Sequence, residues 1–258
     1  MRIIAVVNQK GGVGKTTSVV NIGAGLTNLG HKVLLIDLDP QAHLTYSFGI
    51  HADELEATIY ELLKGEATLD QVMVDRGALK IIPASIGLAA AEMEFSTEVG
   101  REALLKNILR DVVDFDFIFF DCPPNLGLLT LNALTAAKEV FVPLQAEFLS
   151  IKGLSKLMDM VEKVKARVNP DLAIKGIIAT LYDRRLKLHN EVFENLKENF
   201  GALLLKTFIR RNVALAEATS FGQPIFEYAP HTYGAEDYLA LCHEITNLGK
   251  SHEQEITN

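Results

Sequence analysis

The residues best suited to chemistry form one short stretch, Asn8-Gln9-Lys10-Gly11-Gly12-Val13-Gly14-Lys15-Thr16-Thr17. Its glycines let backbone N–H groups curl around phosphate oxygens, and a helix beginning at its end adds the positive pole of its dipole. Lys15 is placed to reach the terminal phosphates of a polyphosphate, and the Thr16 hydroxyl to coordinate Mg²⁺. The segment Lys10–Thr17 therefore reads as a phosphate-binding loop. It departs from the general pattern G-x-x-x-x-G-K-[ST] because Gln9 occupies the first glycine position and Lys10 stands beside it. Within one subunit a second lysine is redundant with Lys15. A cation that reaches a nucleotide on another subunit has a use, since it stabilises charge spreading over the transferring phosphoryl group.

Two further segments end in carboxylates. Val33-Leu-Leu-Ile-Asp37-Leu-Asp39-Pro-Gln41 runs from a strand into a turn, and Phe117-Ile-Phe-Phe-Asp121 is an apolar run that stops at an acid. Asp39 is suited to orienting an attacking or metal-bound water. Asp121 has the Walker B pattern of a residue that holds Mg²⁺ through water. The expected metal residues are Thr16, Asp39 and Asp121, and the expected catalytic residues are Lys10, Lys15 and Asp39.

These groups need a scaffold that brings several strand ends together. Short apolar runs at Ile3–Val7, Val33–Ile36, Leu79–Ile82, Phe117–Phe120, Val140–Val142 and Ile174–Ala179, with a weaker one at Ala202–Leu205, lack strict alternation. Strands buried on both faces have that character. Helical patterns lie between them at about 15–29, 101–113, 127–137, 150–167, 187–199 and 234–248. The rhythm predicts an α/β fold: a single domain with a mainly parallel, twisted β-sheet flanked by helices, of the P-loop NTPase type. Residues 43–78 read as short helices and loops. Residues 1–249 read as the P-loop domain and 250–258 as a polar, disordered tail.

Composition narrows the setting. The 258 residues are 48% apolar and 22% charged, with a net charge of -8 and two cysteines, Cys122 and Cys242. No apolar run is long enough to span a membrane. The cysteine count offers neither a disulfide framework nor a metal cluster, so a reducing, cytoplasmic setting is expected. The acidic total hides a basic stretch: between 184 and 211 stand Arg184, Arg185, Lys187, Lys197, Lys206, Arg210 and Arg211 against Glu191, Glu194 and Glu198. If the strands before Arg184 and Arg210 are neighbours, these cations emerge on one side and suit contacts to phosphates, which carry no sequence information.

Lys-Gly-Gly-Val-Gly-Lys-Thr-Thr resembles the deviant Walker A motif of the ParA/MinD family of ATPases. Asp37-Leu-Asp-Pro-Gln41, Phe120-Asp-Cys-Pro-Pro124, Pro143-Leu-Gln145 and Gly234-Ala-Glu-Asp-Tyr-Leu239 look most like its ParA/Soj branch. The resemblance covers roughly residues 2–248. It implies ATP and Mg²⁺ as cofactors, an ATP-dependent homodimer bridged by Lys10, and a requirement for Asp39 in hydrolysis, with Asp37 more structural. It also implies nonspecific DNA binding at the nucleoid, and a ParB-like partner that stimulates hydrolysis as a chromosome, plasmid or other cargo is positioned.

Arg185 matches a DNA-contacting arginine of the family. The segment Phe208–Thr219, where the family holds the base, departs from its pattern at Arg210, Ala214 and Thr219. Ala214 removes another arginine that contacts DNA, and Arg210 or Arg211 is the expected substitute. Two residues precede the first strand, which leaves no room for an N-terminal helix-turn-helix domain. A MinD-like membrane association is the main alternative, but the last helix has an acidic polar face (Glu236, Asp237, Glu244) that repels anionic lipid. A metabolic P-loop enzyme is the other, although no substrate-binding residues mark one.

Overall fold

The protein is described by a computed structural model that covers the backbone of residues 1–256 and the side chains of residues 1–147 and 153–248. Its strands are β1 (Arg2–Val6), β2 (Val33–Asp37), β3 (Val74–Arg76), β4 (Leu79–Ile82), β5 (Phe117–Asp121), β6 (Glu139–Gln145) and β7 (Ala173–Thr180). They form one sheet in the order β3-β4-β2-β5-β1-β6-β7. Each pairing is parallel except β3 with β4. Six helices have eight residues or more: α1 (Lys15–Asn28), α2 (Leu128–Ala136), α3 (Phe148–Arg167), α4 (Lys187–Phe200), α5 (Val213–Ser220) and α6 (Tyr233–Ile256).

Alternation along the central strands explains why the apolar runs are unbroken. Leu34, Ile36, Ile118 and Phe120 face one core, with α2, α3 and α4. Val33, Leu35, Phe117 and Phe119 face the other, with α1 and α6. Successive side chains point to opposite faces, so a sheet covered on both sides needs an apolar residue at every position. The second core is close-packed at α1. A Cβ on Gly25 would lie 2.6 Å from the Cys242 sulfur and 3.0 Å from the Phe226 ring. Glycine mid-helix there admits α6.

The expected parallel α/β sheet is present, with local differences. β3 has three residues, two of them exposed, too few for a periodic signal; it pairs through a turn at Gly77, whose N–H donates to Asp75 Oδ1 at 2.6 Å. The strand expected at 202–205 contributes one isolated bridge, Ile177 with Leu204. The helix expected at 101–113 is instead a 3₁₀ turn, Arg101–Ala103, followed by Leu104–Ile108. Asn132 on α2 captures both sides of that break, accepting from the Leu105 N–H and donating to the Arg101 carbonyl. Helix α5 was not expected; Asn212 caps it by accepting the Ala214 N–H at 2.9 Å. The tail expected over 250–258 lies outside the residues whose side chains are described.

No helix among the described residues is long and apolar enough to cross a membrane. On α6 the apolar residues Tyr238, Leu241, Cys242 and Ile245 are buried in the core, so this face is already occupied by the protein itself.

Candidate functional site

Parallel pairing places the carboxyl ends of β2, β5 and β1 side by side. Val6 is in register with Asp121, and Asp121 with Asp37. The loop that follows β1 therefore opens directly above two acids, at the edge where ligands bind in open α/β sheets. Gly12 (φ 73°) and Gly14 (φ 83°) take left-handed conformations that an L side chain resists, and Gly14 caps α1. The loop is braced from below and behind. Asn8 Nδ2 donates to the Pro143 carbonyl at 2.7 Å, the Lys10 N–H to Asn8 Oδ1 at 2.9 Å, and the Thr180 hydroxyl to the Val13 carbonyl at 2.8 Å. Lys15 is buried, and its ammonium donates to the Lys10 carbonyl at 3.4 Å.

The three acids differ in how well they are satisfied. Asp37 Oδ2 accepts from the Thr45 N–H (3.0 Å) and hydroxyl (2.7 Å), while Oδ1 accepts from the Asp39 N–H (3.1 Å). Burial still pushes its pKa up to about 6, with the Thr45 and Asp39 bonds opposing the shift. Asp39 folds into a turn and accepts the Gln41 N–H at 3.0 Å. Asp121 is sealed from solvent, and neither of its oxygens makes a hydrogen bond of full geometry, although the Thr16 hydroxyl stands near it. Burial, and then the charge of Asp37, hold its pKa well above the usual carboxylate range, against the Thr16 hydroxyl and Lys15 ammonium. An unpartnered buried carboxylate is costly unless a cation comes to it. Asp121 beneath Thr16 thus fits a magnesium site whose remaining ligands come from water and phosphate.

A cavity of about 450 Å³ lies over these groups. Gly11, Gly12, Gly14, Lys15, Thr16 and Thr17 form one wall; Asp39, Gln41, His43 and Pro124 stand at its polar end; Leu181, Ile209, Asn212, Leu215, Ala216 and Thr219 line the rest. This shape suits a nucleotide, with phosphates on the loop and a base against the apolar side chains. No motif marks His43 or Leu181 as lining residues, and Tyr238, which also lines the cavity, stands in the Gly234–Leu239 stretch, whose sequence assigns it no ligand role. The one local sign at Leu181 is its left-handed backbone (φ 52°), a conformation invisible in sequence.

Lys10 does not line the cavity. Its ammonium forms an ion pair with Glu147, just beyond β6. The redundancy argued from sequence left out this carboxylate, which is far away in the chain.

The backbones that carry Arg184 and Arg210 are neighbours. Tyr182 bridges Arg210 in parallel, so the turn after β7 and the chain before α5 emerge side by side. Their cations are unequally available. Arg210 lies 4.2 Å over the Tyr233 ring and is clamped by Asp237, with bonds of 2.6–3.0 Å, and by Glu236. Arg185 is paired with Asp183, whose pKa it holds well below the carboxylate range, and Lys187 with Glu191. Among the described residues neither Arg184, 4.8 Å over Phe208, nor Arg211 is paired with a carboxylate.

Comparison with known proteins agrees with this geometry. Residues 1–174 match a family model described as an AAA domain. The chain is 44% identical to the sporulation initiation inhibitor protein Soj of Bacillus subtilis over 251 residues, 96% of this chain and 99% of that one. It is 40% identical to the chromosome partitioning protein ParA of Caulobacter vibrioides over 258 residues, 98% and 97% of the two chains. Among solved structures, one named cobyrinic acid a,c-diamide synthase from Mycobacterium smegmatis, with ADP and magnesium bound, has a TM-score of 0.86 at 37% identity, covering 98% of this chain and 96% of that one.

Proposed function

The chain belongs to the ParA/Soj family of partitioning ATPases, and on that premise we propose that it is a Mg-ATP-driven dimerisation switch that binds DNA nonspecifically and positions a cargo. The observation that carries this reading is the sealed, partnerless Asp121 carboxylate under Thr16 and the glycine loop. Residues 1–249 act as the ATPase domain. The backbone of residues 11–17 and the Lys15 ammonium hold the phosphates, and the Thr16 hydroxyl and Asp121 hold Mg²⁺, which neutralises charge on the terminal phosphates. Asp39, at the polar end of the cavity, orients the attacking water.

Lys10 lies outside its own subunit's cavity and serves a partner subunit's nucleotide. The ATP dimer aligns two sets of basic residues, with Arg184 and Arg211 as the cations free to meet DNA phosphates and Arg185 and Lys187 adding to them. A ParB-like partner accelerates hydrolysis, and the released subunits exchange nucleotide before rebinding the nucleoid. The setting is cytoplasmic.

The test is light scattering with ATP for wild type, Lys10→Ala and Asp39→Ala. Asp39→Ala should accumulate as an ATP-bound dimer and Lys10→Ala should remain monomeric. A particle mass that ignores nucleotide in every variant would refute the switch. The similarity to a protein named as an amide synthase supports a second reading, a small-molecule ligase. Turnover stimulated by a small-molecule acid and amine donor, rather than by DNA with a protein partner, would favour that alternative.

A further inference from the structure

Glu147 is the structural partner of Lys10, and no functional motif contains it. The pair joins two rigidly placed backbones. On one side the Lys10 N–H is tied to Asn8, and Asn8 to the Pro143 carbonyl of β6. On the other, Glu147 follows β6 by two residues, with its N–H donating to the Gln145 carbonyl at 2.7 Å. β1 and β6 are neighbours, and the Val7 N–H continues their contact to the Phe141 carbonyl at 3.1 Å. The meeting of the two side chains therefore follows from the sheet order.

Both side chains are well exposed, 43% for Lys10 and 42% for Glu147. A pair so open to water is weak and readily exchanged. Lys10 is also not among the residues that line the phosphate cavity, where Lys15 already stands. A single carboxylate is a poor competitor for a lysine against a triphosphate, which offers more charge and more acceptors.

Resting on the reading that Lys10 crosses to a partner subunit, we infer that Glu147 is a positioning residue that parks Lys10 outside its own phosphate site and yields it to the partner's nucleotide when two ATP-bound subunits meet. Parking keeps the second cation off the subunit's own nucleotide. It also sets a threshold, because every dimer contact by Lys10 first costs the pair with Glu147. The carboxylate touches no reacting atom in this arrangement, and its effect passes wholly through Lys10.

The test measures the dimer dissociation constant by sedimentation equilibrium with saturating Mg-ATP, in the full chain carrying Asp39→Ala to block turnover. Glu147→Gln keeps the side-chain volume and removes the charge, and Glu147→Ala guards against a special effect of the amide. Both should tighten the dimer by about 2- to 5-fold, the factor set by a weak exposed pair. Glu147→Asp should stay near the parent. Glu147→Gln should not restore a dimer in the presence of Lys10→Ala, whereas an effect of the Glu147 charge on the interface that does not pass through Lys10 would. Binding of a fluorescent ATP analogue by the monomer should be the same in the Glu147 variants as in their Asp39→Ala parent. A dimer weakened or unchanged by both Glu147 replacements overturns the inference. Full dimerisation of Lys10→Ala would instead sink the underlying reading of Lys10, so the two failures are distinguishable.

Discussion

Asp37 and Asp121 face each other across the β2–β5 pairing as Cα partners, both fully buried, so two acids lie side by side at the ends of neighbouring strands. Their roles diverge by hydrogen bonding. Asp37 spends its oxygens on Thr45 and Asp39 and fixes the turn that carries Asp39. Asp121 keeps both of its oxygens for a ligand.

This relationship predicts an unusual pH dependence. Asp37 titrates at about 6 in the folded chain against an ordinary 3.8. The native state therefore holds a proton more tightly than the unfolded chain, and stability from this group falls as pH rises from about 4 to about 6, then stays level. The loss amounts to roughly 3 kcal/mol. Urea unfolding in EDTA should show wild-type stability declining relative to Asp37→Asn across that window. Parallel curves for the two proteins would contradict the assignment.

Asp121→Asn should separate stability from ligand binding. It replaces an unpartnered buried carboxyl group by a neutral amide of the same shape, so the nucleotide-free protein should be at least as stable as wild type. The same change should abolish the extra thermal stabilisation that Mg²⁺ gives in the presence of ATP. Calorimetric melts with and without metal measure both effects. A variant that is destabilised without ligand yet still responds to Mg²⁺ would count against a metal role.

The arginines should divide by their partners. Arg184→Ala with Arg211→Ala should weaken ATP-dependent DNA binding and flatten its dependence on salt, with ATP binding intact. Arg210→Ala should act on the fold, costing about 1–2 kcal/mol by leaving buried Asp237 without its guanidinium, a figure kept low because Arg210 is about a third exposed. Fluorescence anisotropy over a salt series, beside denaturation curves, distinguishes them. A large DNA defect in folded Arg210→Ala would reverse the division.

Gly25→Ala tests the seam between α1 and α6. The added methyl meets the Cys242 sulfur at a distance that Cβ atoms essentially never show, and the Phe226 ring at a tight one. Overpacking should cost about 1–3 kcal/mol, read as a lower denaturation midpoint. Cys242→Ala should recover part of the loss by vacating the sulfur's space. A neutral Gly25→Ala would mean that α6 sits less tightly on α1.

The fold was legible where the chain is regular. Buried runs such as Val33–Asp37 and Phe117–Asp121 carry their own signature because both faces of the sheet are covered. β3 was not, since three residues paired to one neighbour leave no periodicity. The loop could be read from glycines and lysines alone, because phosphate binding is local chemistry. The Lys10–Glu147 pair could not be read, because it depends on β6 lying next to β1, a fact of topology. The unequal freedom of Arg184 and Arg210 likewise depends on Asp237, contributed by a helix that begins well beyond the basic segment.

The hydroxyl of Thr180 grips the loop at Val13, and four residues later the same chain presents Arg184. A short turn, with no helix or further strand, thus joins the residue that braces the phosphate loop to the first arginine of the basic segment. Any movement of the Val13 carbonyl would have only that turn to cross to reach Arg184.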